Sequence, residues 1–211
     1  MDTLTRLQKV LEQLYSLPHH LDVSSFLTSA SVIRDRTPTD ETLFLYEKPG
    51  KLEVALFIDP KVLKNLEQHD PWKEISQTNL NDFCTAIEGI SHFVFLIHRV
   101  SQDQPVRELE LELQAEIDKY LLLDLLLRGQ QKKVNRQGLI SRLFERYSLL
   151  PHLNHEQNER YRIANRLAWQ YCSFLAKQSF ASLATLLGQI RHFYPLPLFE
   201  KINAIQTARS F

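Results

Sequence analysis

Hydrophobic positions recur at three- and four-residue spacing along most of this chain and alternate with polar ones in a single stretch. Leu4, Leu7, Val10 or Leu11, and Leu14 form one apolar stripe, which predicts an amphipathic helix that Pro18 stops. Between His19 and Asp40, Ser/Thr-rich pieces and the Arg34–Asp35–Arg36 triplet ahead of Pro38 predict a loop with at most one helical turn. The run from Thr42 to Asp59 reads differently. Two β-favouring segments flank Lys48–Pro49–Gly50–Lys51, where proline presets φ and glycine accepts a positive φ after it, so Leu43–Glu47 should pair with Leu52–Ile58 as a hairpin. Asp59 then supplies an N-cap and Pro60 the first position of a short helix through Val62 and Leu66.

From Asn79 to Glu88, Leu80, Phe83, Cys84 and Ile87 share one face, which predicts a short helix ended by Gly89. Ser91–Val100 is a continuous run rich in aromatic and β-branched residues. It suits a strand buried on both faces and lying beside the hairpin, which alone would be marginal. In Arg107–Gly129 the leucines fit both periods, but strong helix formers and early glutamates decide for a long helix, with Gly129 at its end. Further helices are predicted over about Arg136–Leu149, Asn154–Lys177, Ser179–Phe193 and Leu198–Thr207. Asn154 and Gln157 form a capping box, and Pro195 and Pro197 divide the last two helices. No internal period suggests a repeat. The fold class is therefore α+β: a small antiparallel sheet of about three strands with flanking helices, then a long helix and a C-terminal helical subdomain. Residues 1–106 and 107–211 form two subdomains packed as one compact unit.

Composition adds that 211 residues, 44% of them hydrophobic, can build a core without disulfides. Cys84 and Cys172 lie far apart in predicted helices, so reduced, buried thiols are expected rather than a disulfide or zinc knuckle. The N-terminus lacks the pattern of a secretory signal, and the longest apolar run, Tyr120–Leu127, is broken by Asp124 and falls short of the ~20 residues a membrane span needs. A soluble cytoplasmic chain without a membrane span is expected. The net charge of zero conceals a division: residues 1–128 carry 13 Lys/Arg against 21 Asp/Glu, and residues 129–211 carry 12 against 4. Such fields predict either docking of the two portions or a basic face for an acidic partner, docking being the simpler.

The motifs exclude more than they assign. The five glycines, Gly50, Gly89, Gly129, Gly138 and Gly188, are too scattered for a phosphate-cradling loop or a dinucleotide fingerprint, and neither G-x-S-x-G nor C-x-x-C occurs. His152 with His155–Glu156, and His92 with His98 after Glu88, do not match H-E-x-x-H, and read as loop and strand-end histidines. Glu108, Glu112 and Glu116 fall on one helical face and could hold a divalent cation, or half of a two-metal site. The Glu-x-x-His pairs of such bundles are missing, and a solvated face or one paired with the basic C-terminal portion accounts for the row. No metal and no cofactor is expected. Lys132, Lys133, Arg136, Arg160 and Arg162 are the candidate contacts to an acidic partner or to nucleic acid, although Tyr161 and Trp169 among them sit at core spacing. The expected function is that of a non-enzymatic regulatory or adaptor protein acting through contacts with a cytosolic protein partner. The alternatives are a nucleic-acid-associated protein using the basic helices, and an enzyme with a motif-free pocket between the subdomains.

Overall fold

The computed structural model describes residues 2–19, 21–29, 39–49, 51–131, 135–145, 154–178 and 182–208; the turn glycine Gly50, the Arg34–Asp35–Arg36 triplet, Lys132, Lys133 and His152 lie outside them. Helix α1 (Thr3–Tyr15) starts at the Asp2 cap and ends where Ser16 takes a left-handed conformation ahead of Pro18. A 3₁₀ turn (Val23–Phe26) leads into the two-residue strand β1 (Leu27–Thr28). Strands β2 (Glu41–Lys48) and β3 (Lys51–Ile58) form the expected hairpin, in register from Glu41 opposite Ile58 to Lys48 opposite Lys51. Asp59 and Pro60 open α2 (Pro60–Gln68), with the Asp59 carboxylate accepting from the Lys61 backbone N–H.

The remaining helices are α3 (Leu80–Ser101), α4 (Glu108–Gly129), α5 (Arg136–Ile140) running into a π turn (Ser141–Glu145), α6 (His155–Lys177), α7 (Leu183–Phe193) and α8 (Leu198–Ala208). The Asn154–Gln157 capping box starts α6 as expected. The architecture is α+β, a small sheet with flanking helices.

Two sequence expectations change. The sheet is mixed: β3 is central, β2 pairs with it antiparallel, and the third strand is β1, parallel to β3 through Leu27 opposite Leu56 and Thr28 opposite Phe57. Ser91–Val100 is not a strand but the second half of α3, which passes through Gly89 without stopping. A short apolar run fits a buried strand and a buried helix equally, and here the helix is buried because it is covered on several sides. The sheet, α1, α2 and α4 all pack on it, and Phe83, Ile87, Ile90, Phe93 and Phe95 are almost fully enclosed. By length and composition α3 could cross a bilayer, a property it shares with the core helices of soluble proteins; most of its apolar stretch is buried inside the protein.

Gly89 explains how the sheet comes so close. A Cβ placed there would lie 3.1 Å from Glu41 Oε2 and 3.2 Å from the Cδ1 atoms of Ile58 and Leu56, tighter than ordinary packing allows. On its other side α4 is packed against α6, so α4 too is enclosed and its polar side chains must find partners inside. Asp118 accepts from Ser91 Oγ at 2.6 Å, from Gln114 Nε2 at 2.9 Å and from the Tyr15 hydroxyl. Arg99 lies 3.6 Å from Glu110 and donates to the carbonyls of Pro105 and Pro195, joining the turn between α3 and α4 to the turn between α7 and α8.

Candidate metal centre

Because α3 is one continuous helix, Glu88 and His92 stand one turn apart on the same face. On α4, Glu112 and Glu116 have the same four-residue spacing, with Lys119 a further turn along. The two faces meet beneath the first residue of β2, Glu41. One oxygen or nitrogen from each of Glu88, His92 and Glu112 lies within 4.8 Å of the other two. His92 sits between two carboxylates, its Nε2 3.6 Å from Glu112 Oε2 and its Nδ1 3.8 Å from Glu41 Oε2. Both distances exceed a hydrogen bond, and His92 Nε2 and Glu41 Oε2 are buried without a hydrogen-bond partner among the described residues. The His92 side chain is only 7% exposed.

Lys119 neutralises the other side of the cluster, its ammonium 2.6 Å from Glu116 Oε1 and 2.9 Å from Glu88 Oε2. Burial works against the charged ammonium, but Glu116 and Glu88 hold its pKa well above the usual lysine range. Burial likewise opposes ionised Glu88, and Lys119 with His92 outweighs it, keeping that carboxyl below its ordinary value. Glu41, with only His92 to favour its charge, is pushed up by burial. His92 is desolvated too, yet Glu112 and Glu41 hold its imidazolium well above the usual histidine range. From α6, Tyr161 faces the same group: its phenol is raised first by burial and then by the charges of Glu112, Glu88 and Glu41. Four glutamates thus face one lysine and one histidine, and burial raises the pKa of two of the glutamates, Glu41 and Glu116, so the shortage of positive charge is met in part by protonation. Charge left uncompensated in an enclosed site is costly, and a divalent cation would balance what protonation does not.

One gap has the length such an ion needs. With metal–nitrogen and metal–oxygen bonds of about 2.0–2.2 Å, a ligand–metal–ligand angle of roughly 110–120° spans about 3.5 Å. The gap between His92 Nε2 and Glu112 Oε2, 3.6 Å, is too long for a hydrogen bond and matches that span. One imidazole with two carboxylates suits Zn²⁺, Mn²⁺ or Fe²⁺ better than Ca²⁺ or Mg²⁺, which favour all-oxygen shells, or copper(I), which favours sulfur. No family model, curated protein or solved structure matches the chain. The chemistry of the site therefore rests on its geometry.

The residues singled out from sequence are distributed differently. Arg160 pairs with Glu108, and Arg136 lies 3.5 Å from Asp124 while donating to the Ala176 carbonyl, so both serve contacts within the chain. Arg162 is exposed on α6, and Lys132 and Lys133 fall outside the described residues. The acidic row divides: Glu108 points outward to Arg160, whereas Glu112 and Glu116 turn inward, so they are not a solvated face. His92 and His98 are helical rather than strand-end residues. The Glu88–x–x–x–His92 pair was visible in the sequence. Its meaning was hidden by Gly89, whose reading as a helix stop separated two residues that in fact share a face.

A second buried network lies on the far side of α4. Lys201, fully enclosed in α8, donates to Gln114 Oε1 at 2.9 Å and stands over Phe95, Phe193 and Tyr194 with its nitrogen 4.4, 5.4 and 5.6 Å from the ring centres. Gln114 joins Lys201 to Asp118 and Tyr15. Every member is engaged by protein groups, which marks a packing network rather than a site for a ligand.

Proposed function

We propose that this chain is a metal-binding regulatory protein that holds one divalent transition-metal ion between Glu88, His92 and Glu112. The observation that carries the reading is the His92 Nε2 atom, buried, without a hydrogen-bond partner and set 3.6 Å from Glu112 Oε2 in a cluster short of positive charge. A role other than catalysis is supported by the enclosure of the ligands, because a catalytic metal must be reached by its substrate. Glu88, Glu112 and His92 are 21%, 10% and 7% exposed, and the sheet packs on the helix that carries Glu88 and His92. This extends the expectation of a non-enzymatic protein working through protein contacts, with metal occupancy as the variable it responds to.

The test is metal content and stability of protein prepared without a histidine tag. One equivalent of Zn²⁺ or Mn²⁺ per chain is expected, and at a free concentration of 100 Kd the ion should stabilise the fold by about 2.7 kcal/mol. His92→Ala and Glu112→Gln should each abolish the stoichiometric binding. A wild-type protein that takes up neither ion nor Fe²⁺, or variants that bind as the wild type does, would overturn the reading.

A further inference from the structure

A metal-bound histidine is rarely held by the metal alone: its second ring nitrogen donates to a carboxylate or carbonyl that fixes the ring and its tautomer. Resting on the metal reading above, we infer that Glu41 is the positioning residue of this centre, taking the Nδ1–H of His92 so that Nε2 is presented to the ion. The two ring nitrogens face opposite carboxylates, Nε2 towards Glu112 at 3.6 Å and Nδ1 towards Glu41 at 3.8 Å. The first gap has room for an ion; the second closes to a hydrogen bond with a movement of about 1 Å. Glu41 Oε2 is buried and has no hydrogen-bond partner among the described residues, so an acceptor is available for that proton.

The rest of the fold brings this carboxylate into place. Glu41 begins β2, opposite Ile58 of β3, and the adjoining Asp40 carbonyl accepts from the Asp59 backbone N–H at 2.8 Å, which anchors the open end of the hairpin. Gly89 lies directly beneath, and a side chain there would meet Glu41 Oε2 at 3.1 Å. Glycine in the middle of α3 is unfavourable for the helix. Its role here is to let the strand, and Glu41 with it, come within reach of His92. The consequence is coupling: a hairpin docked on α3 completes the histidine's support, and by linkage an ion bound to His92 favours the docked hairpin.

The experiment compares Zn²⁺ affinity and the His92 ring-proton signal in wild type, Glu41→Gln and Glu41→Leu, with His92→Ala as the reference for loss of the site. In the Zn²⁺-loaded wild type, nitrogen-resolved NMR should show an exchange-protected Nδ1–H of His92. Glu41→Gln keeps an acceptor oxygen and should retain that signal, shifted, with an affinity between the other two. Glu41→Leu should lose the signal and 10- to 100-fold in affinity. Gly89→Ala should reproduce part of that loss with all the ligands intact, and Glu41→Gln decides the matter if either of the other variants fails to fold. Unchanged affinity and an unchanged ring-proton signal in the Glu41 variants, with binding still lost in His92→Ala, would refute the positioning role and leave the metal site standing. An affinity loss without any change in the ring proton would refute it as well. Failure of the wild type to bind Zn²⁺ would remove both.

Discussion

Lys201 offers a prediction whose size changes with pH. Its side chain is fully enclosed, and burial pulls its pKa from the usual 10.5 down to about 7, against the opposing pull of Glu110 and Asp118. The folded protein therefore holds fewer protons than the unfolded chain between those values. The penalty of burying the lysine is fully present below pH 7 and is relieved as pH rises toward 10.5, by about 1.4 kcal/mol per pH unit. On that basis the lysine costs about 4 kcal/mol at pH 7 and about 2 kcal/mol at pH 9. The rings of Phe95, Phe193 and Tyr194 offset about 1 kcal/mol of the cost while the ammonium is charged. Replacing Lys201 with methionine, of similar length, removes the cost but leaves Gln114 Oε1 without its donor, a loss of about 1–3 kcal/mol. The Lys201→Met protein should thus be more stable than wild type by about 1 kcal/mol at pH 7, an advantage that disappears by about pH 9. Urea denaturation of both proteins at the two pH values measures the difference directly. If the two curves keep the same separation at pH 7 and pH 9 within about 0.5 kcal/mol, the lysine is not being discharged by burial and the reasoning is wrong.

Two further outcomes follow from local geometry. Asn154 accepts from the Gln157 backbone N–H at 2.9 Å while Gln157 Oε1 accepts from the Asn154 N–H at 3.0 Å, so Asn154→Ala should cost about 1 kcal/mol and lower Tm by about 2–4 °C; a change under 1 °C would mean that this cap contributes nothing. Cys172 is buried and its thiol held well above the usual range, whereas Cys84, against the sequence expectation of a buried thiol, is only partly so, with its thiol raised to about 12; a thiol reagent at pH 8 should modify Cys84 slowly and Cys172 only on unfolding, and rapid labelling of Cys172 in the native protein would contradict its enclosure.

Local chemistry was legible in the sequence wherever it is decided within a few residues. Alternation around Lys48–Pro49–Gly50–Lys51 specified the hairpin, Asp59–Pro60 the start of α2, Asn154 with Gln157 the start of α6, and residue type settled the ambiguous leucines of α4 as helix. β1 was not legible, because two residues carry no period and its pairing with β3 comes from chain neighbours far along the sequence. Nor was the second half of α3, where every position from Ser91 to Leu96 is buried and an unbroken apolar run has no face to reveal its period. That one ambiguity hid the candidate site. Read as helix, stop and strand, the segment separates Glu88 from His92; folded as a single helix through Gly89, it sets them side by side and admits Glu41 above them. The residue types, the four-residue spacings and the excess of carboxylates belong to the sequence. Which of those carboxylates face water and which face a buried imidazole depends on the packing of α3 against the sheet and α4, because burial and proximity between distant segments exist only once the chain has folded.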